Sequence, residues 1–109
     1  MNKDSLNLVG YCRVSTVDQQ TIEKQTISIG KYCEAMDHSL VDVFFDKKSG
    51  KTIDRDGFKS CLNLLETGVA DGIIVQSLDR ISRNLNDFTF LINNYFDKYR
   101  LVSVKDSVD

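Results

Sequence analysis

The chain has 109 residues, of which 41% are hydrophobic and 28% are charged, so it can bury a core as one compact domain without disulfides. Its formal net charge is −2 and its pI is near 5.3. Because a free-standing nucleic-acid-binding protein usually carries a basic excess, this balance on its own argues against one.

The cysteines and the hydropathy of the sequence indicate the cellular compartment in which the protein works. Cys12, Cys33 and Cys61 are odd in number and widely spaced, which argues against a disulfide framework or a structural zinc site and predicts buried thiols. No apolar run approaches the roughly 20 residues of a membrane span, and the polar start of the chain does not resemble a signal peptide. We therefore expect a cytoplasmic protein that does not bind membranes.

Four apolar segments alternate with three amphipathic ones along the chain. The apolar segments predict strands over residues 6–14, 40–45, 72–76 and 101–104. Apolar positions at helical spacing predict helices over 22–36, over 58–65 with a stop at Gly68, and over 85–99. Strands separated by helices run parallel. We therefore expect an α/β fold of three layers, with a mainly parallel central sheet of about four to five strands flanked by helices.

The third predicted helix carries an aromatic stripe. Its members share one helical face, which we expect to pack on the core: Phe88, Ile92, Tyr95, Phe96 and Tyr99.

Arginines collect in the loops that follow the first three strands. Four of the five arginines lie there, namely Arg13, Arg55, Arg80 and Arg83. The carboxyl ends of parallel strands meet at one edge, where such sheets bind their ligands. The guanidinium fork grips phosphate oxygens and keeps its charge, so the cluster predicts a phosphate or carboxylate ligand. The alternative is that each arginine pairs with a neighbouring aspartate on the surface.

Ser15 is the candidate nucleophile at this edge. Strand alternation places it on the same side as Tyr11 and Arg13. Positive charge around a serine hydroxyl stabilises the alkoxide and the negative charge that develops on an attacked phosphoryl group. The alternative for a serine after a strand is a helix N-cap or a turn residue.

Other chemistry-bearing residues carry weaker signals. Asp79 directly precedes Arg80 and would orient the arginines or act as an acid, unless it is a helix cap or a structural ion-pair partner. His38, the sole histidine, falls at the opposite edge of the sheet. The sequence has no metal-ligand spacing and no glycine-rich nucleotide loop. We therefore expect no metal, no cofactor and no small-molecule substrate.

Three ordered segments resemble the serine recombinases, the resolvase and invertase family. The first reads Tyr-Cys-Arg-Val-Ser-Thr from Tyr11, with Gln19 four residues after the serine. The second is Asp-Lys-Lys-Ser-Gly from Asp46 with Asp54-Arg55 downstream, and the third is Leu-Asp-Arg-Ile-Ser-Arg over 78–83. The resemblance extends over residues 8–104 and implies a resolvase-like fold.

This resemblance implies a DNA strand-exchange enzyme. In the family the motif serine, here Ser15, attacks the scissile phosphodiester and leaves a 5′-phosphoserine link with a free 3′-hydroxyl. After the subunits rotate, the 3′-hydroxyl attacks back and reseals the DNA. No metal or nucleotide takes part.

The resemblance also implies roles for the neighbouring side chains. Those that would contact the scissile phosphate are Arg13, Arg80 and Arg83. Those that would help with positioning and with the leaving 3′ oxygen are Arg55 and Asp79. Those that would support the site are Gln19, Asp46 and Ser49, with Tyr11 packed beneath them.

Family members continue into a dimerisation helix and a DNA-binding domain, whereas this sequence stops at Asp109. We expect residues 1–109 to be an excised catalytic domain, or else a degenerate fragment, of a parent that acts on DNA as a homodimer or tetramer. The isolated domain should bind DNA poorly and be inactive. Residues 46–59 carry five basic and three acidic side chains, a local charge of +2, so positive charge gathers at the candidate edge.

Two other functions fit parts of the pattern. A receiver-like phosphate-sensing module would use carboxylates and a bound cation, and metal-dependent phosphorylation of Asp46 or Asp79 would indicate it. Against it, Arg13 and Ser15 stand where an acidic pocket is needed. A non-catalytic oligomerisation domain is the second alternative, and a full-length parent without DNA-adduct chemistry would indicate it.

Overall fold

The computed structural model describes residues 5–14, 19–47, 56–82 and 84–106. These residues contain four strands, β1 (Asn7–Val14), β2 (Ser39–Lys47), β3 (Gly72–Val75) and β4 (Arg100–Ser103). All three neighbouring pairs are parallel, and the strand order across the sheet is β2-β1-β3-β4. The predicted α/β fold with a parallel central sheet is confirmed.

Two hydrophobic clusters cover the two faces of the sheet and give the three layers. Helix α1 (Gln19–Ala35) contributes Ile29 and Cys33, which pack with Leu8 and Cys12 of β1. Helix α2 (Asp56–Glu66) contributes Phe58 to the opposite cluster, together with Tyr11. Since alternate residues of β1 enter opposite clusters, every residue from Leu8 to Val14 is buried.

The end of α2 follows the sequence prediction. Gly68 adopts a φ of 81°, in the left-handed region that a residue without Cβ enters at little cost. Its main-chain N–H donates to the carbonyl oxygen of Leu65 at 3.2 Å, which closes the last turn. The chain then turns back toward β3.

The third helical segment differs from the continuous helix predicted over 85–99. It consists of α3 (Leu85–Leu91), whose N-cap is Asn84, and a π-helical turn over Ile92–Phe96. Leu91, which is outside the predicted stripe, is fully buried, whereas Ile92 is 50% exposed. The π turn is wider than an α-helical turn, so it shifts the residues that face the core. The prediction that Ile92 packs in the core is therefore wrong.

The other members of the stripe do contact the core. Phe88, Tyr95, Phe96 and Tyr99 are partly buried against the cluster that contains Leu91.

The three cysteines are free and buried, as the sequence predicts. Burial raises the pKa of each thiol above its ordinary value, so the neutral form is favoured and the thiols are poor nucleophiles. Within the described ranges, no helix combines the length and the apolar character needed to cross a bilayer.

Candidate functional site

The carboxyl edge of the sheet brings together part of the predicted site. Arg13 is the penultimate residue of β1, so it lies in the strand and not in the loop after it as predicted. Its register partner Asp46 is the penultimate residue of β2. Asp79 and Arg80 lie in a 3-10 helix (Leu78–Arg80) that follows β3. Four other predicted residues lie outside the described ones, namely Ser15, Ser49, Arg55 and Arg83. Gln19 begins α1, but its side chain also lies outside the described part.

Arg13 and Arg80 bind each other's main chain. The Arg13 side chain is only 3% exposed, and it donates from Nε to the Arg80 carbonyl (3.2 Å) and from Nη2 to the Asp79 carbonyl (3.0 Å). Arg80 returns a bond from Nη1 to the Arg13 carbonyl at 3.0 Å. A carbonyl oxygen carries no net charge, so these contacts orient both guanidinium groups without cancelling their positive charge.

Arg80 also has a donor that its surroundings leave unused. Its Nε is buried and has no hydrogen-bond partner among the described residues. A buried donor without an acceptor costs about 1–3 kcal/mol, so such atoms are rare outside functional sites.

Asp46 and Tyr11 form a buried support below the edge. The Tyr11 hydroxyl donates to Asp46 Oδ2 at 2.9 Å, and its ring meets Phe58 edge-on at 5.1 Å between centroids. The same carboxylate accepts the main-chain N–H groups of Gly57 (2.9 Å) and Phe58 (3.0 Å). Asp46 therefore caps the start of α2 and ties it to β1, a favourable position for a negative charge.

Asp79 faces solvent in the 3-10 helix. Its Oδ1 accepts a hydrogen bond from the Ser77 hydroxyl, while its carbonyl oxygen accepts from Arg13. The main chain of Asp79 thus fixes an arginine, and its side chain stays at the surface of the edge.

Two further points concern groups that could bind a metal. His38 lies at the amino edge, where its Nδ1 accepts the main-chain N–H of Leu6 at 3.0 Å. In the part of the chain that the structure describes, no three His, Cys, Asp or Glu side chains converge to hold a metal ion.

Gln25 is a site residue that the sequence reasoning did not select. It is 1% exposed on α1, and its amide bridges the main chain of Arg13. Oε1 accepts from the Arg13 N–H and Nε2 donates to the Arg13 carbonyl, both at 3.3 Å. The sequence feature that could have identified Gln25 is its position as a polar residue within the apolar face of α1, between Ile22 and Ile29.

We expect Gln25→Leu to lower the free energy of unfolding by about 1–2 kcal/mol, because the substitution removes the Oε1 acceptor of the buried Arg13 N–H and the Nε2 donor to the Arg13 carbonyl, to which Arg80 Nη1 still donates. Urea denaturation monitored by circular dichroism measures this loss. The matched control is Gln20→Leu, since Gln20 is exposed on the same helix. Equal losses in the two variants would contradict the role assigned to Gln25.

Comparison with known proteins identifies the family. Residues 8–109 match the family described as "Resolvase, N terminal domain". The chain belongs to this family of serine recombinases, which confirms the resemblance found in the sequence.

Individual relatives agree with this assignment. The chain is 34% identical over 103 residues to the DNA-invertase of Escherichia phage P1, which covers 94% of this chain and 50% of the invertase. It is 34% identical over 103 residues to the serine recombinase gin of Escherichia phage Mu, covering 94% of this chain and 49% of that protein. The chain thus spans about half the length of these curated relatives.

Solved structures show the same fold. The N-terminal catalytic domain of TP901-1 integrase superposes with a TM-score of 0.87 at 31% identity, covering 94% of this chain and 81% of that one. The C-terminal catalytic domain of ISC1926 TnpA, an IS607-like serine recombinase, gives a TM-score of 0.80 at 26% identity, covering 90% of this chain and 67% of that one.

Proposed function

We propose that this chain is the catalytic domain of a site-specific recombinase that cuts and rejoins DNA through a covalent link to Ser15. The parent protein would bring two or four such domains to its DNA as a homodimer or tetramer. Family membership supports the class of reaction, and the paired arginines at the carboxyl edge support the chemistry.

The interlocked Arg13 and Arg80 are the observation on which this proposal rests. Each guanidinium is oriented by carbonyl oxygens and keeps its charge, and the described residues offer no acceptor to the buried Arg80 Nε. The transferring phosphoryl group spreads negative charge over its non-bridging oxygens. Donors that are already oriented stabilise this charge without reorganising during the reaction.

Covalent transfer through a serine balances without a cofactor. The Ser15 hydroxyl loses its proton, its oxygen bonds to phosphorus, and the bond from phosphorus to the 3′ oxygen breaks; the leaving oxygen takes up a proton. Resealing reverses these steps, so the phosphodiester energy is stored in the phosphoserine and no nucleotide is consumed.

The other hydroxyls that the structure describes at this edge are less suited to the attack. The Tyr11 hydroxyl is buried and donates to Asp46, and Ser103 is fully buried beside Asp106. Ser77 is only partly buried and is the strongest described competitor, although its hydroxyl donates to Asp79. Ser15 follows directly on the strand that carries Arg13.

The test uses the full-length protein, 3′-labelled duplex fragments of the host genome and excess EDTA, because the strand that stays joined to a 5′-phosphoserine carries the original 3′ end. We expect a DNA adduct that survives SDS, forms equally with and without EDTA, and is lost in Ser15→Ala while DNA binding persists. Ser77→Ala is the matched control and should still form the adduct. An adduct that persists in Ser15→Ala, or one that EDTA abolishes, would contradict the proposal.

A further inference from the structure

The end of β4 contacts the segment that carries Asp79 and Arg80. Beyond the strands, the Val104 N–H donates to the Val75 carbonyl at 3.0 Å and the Lys105 N–H to the Gln76 carbonyl at 2.8 Å. Parallel pairing thus continues past both strands toward the candidate site. It brings Asp106 next to the start of the 3-10 helix.

Asp106 supplies the cap that this 3-10 helix does not provide for itself. Ser77 occupies the N-cap position with an extended backbone, but its side chain makes no capping bond and donates to Asp79 instead. The Leu78 N–H donates a hydrogen bond to Asp106 Oδ2 at 2.8 Å. A residue 28 positions away therefore takes over the capping role.

The Asp106 carboxylate is itself held in place. Its Oδ2 also accepts the hydroxyl of buried Ser103 at 2.7 Å, and the Asp106 N–H donates to that hydroxyl at 3.4 Å. The bonds from Ser103 and Leu78 lower the pKa of Asp106 below its ordinary value. The group is therefore ionised at neutral pH, and its bond to Leu78 is charge-assisted.

We propose that Asp106 is a positioning residue, which fixes the 3-10 helix so that Asp79 and Arg80 are aligned for phosphoryl transfer. Its effect reaches Arg13, because the Asp79 and Arg80 carbonyls are the acceptors for the Arg13 guanidinium. The inference rests on the function proposed above, and it assigns Asp106 no contact with DNA.

The test compares Asp106→Ala and Asp106→Asn in the full-length protein at saturating genomic DNA fragments. We expect Asp106→Ala to slow adduct formation at least about tenfold with unchanged DNA affinity, since small misplacements of catalytic groups have large effects on rate. Asp106→Asn keeps an acceptor oxygen of the same shape and should restore most of the rate. Hydrogen exchange at the Leu78 amide should accelerate in the alanine variant.

Asp71→Ala is the matched control. Asp71 is also exposed, and its carboxylate also accepts a main-chain N–H, that of Asn7 at 2.8 Å, but it lies at the amino edge of the sheet. It should lower the melting temperature by a similar amount and leave the rate of adduct formation unchanged.

Three outcomes would overturn the positioning role: an unchanged rate in Asp106→Ala, equal slowing in Asp71→Ala, or unchanged exchange at Leu78. Failure of the proposed function is recognised separately, because the unsubstituted protein would then form no adduct at all. In that case the positioning role fails with it.

Discussion

Asp46→Ala is expected to lower the free energy of unfolding by about 4 kcal/mol, because it removes the carboxylate that accepts bonds from two buried donors and one partly buried donor. Asp46 is 8% exposed and accepts bonds from the Tyr11 hydroxyl and from the N–H groups of Gly57 and Phe58. Each unsatisfied buried donor costs about 1–3 kcal/mol. This loss is a large share of the roughly 5–15 kcal/mol that stabilises a typical domain.

Urea denaturation of two further variants separates the contributions. Tyr11→Phe removes one donor but keeps the ring contact with Phe58, so it should cost about 1 kcal/mol. Asp42→Ala is the matched control, since Asp42 is an exposed aspartate of β2 whose carboxylate accepts the N–H of the neighbouring Val43. If Asp46→Ala cost no more than Asp42→Ala, the capping of α2 by Asp46 would be refuted.

Arg80→Ala is expected to slow adduct formation by about 10²- to 10³-fold, the typical effect of removing one preorganised donor from a developing oxyanion. The loss has two sources. The proposed contact of the guanidinium with the phosphate is removed, and the Arg13 carbonyl loses the bond from Nη1. Arg80→Lys should recover little of this rate, because an ammonium keeps the charge but cannot reproduce the planar fork.

The measurement is the single-turnover rate of SDS-resistant adduct formation at saturating DNA, with DNA affinity determined in parallel. Arg100→Ala is the matched control, since Arg100 lies exposed at the start of β4, at the edge of the parallel sheet opposite the candidate site. A fully active Arg80→Lys, or equal slowing in Arg100→Ala, would contradict the role assigned to Arg80.

Much of the fold follows from patterns that are local in the sequence. The uninterrupted apolar run of β1 predicts a strand buried on both faces, and Gly68 marks the end of α2 because few other residues adopt its φ. Parallel topology then places the strand ends at one edge. This is why Arg13 and Arg80 could be expected to lie together although 67 positions separate them.

The features that could not be predicted depend on contacts between distant elements. The π turn follows Leu91, which is fully buried in the core, and a regular spacing of apolar residues does not predict such a change of helical geometry. Hydrogen bonds from a side chain to main-chain groups far away in the sequence cannot be predicted from hydrophobic periodicity either. Asp46 at the start of α2, Gln25 on Arg13 and Asp106 on Leu78 are all of this kind.

The structure describes one part of the proposed catalytic centre. Arg13, Asp79 and Arg80 lie together in the structure, with Tyr11 and Asp46 below them. Ser15, Ser49, Arg55 and Arg83, and the side chain of Gln19, lie outside the described residues, so their parts in the site stay predictions.

The most direct test of the central claim is mass spectrometry of the peptide that remains joined to DNA after the full-length protein is trapped with SDS and digested. The account predicts a nucleotide remnant on the Ser15 oxygen, linked through a 5′-phosphate, and a free 3′-hydroxyl on the other DNA end that terminal transferase extends without a template. A remnant on any other residue, or a linkage through a 3′-phosphate, would contradict it.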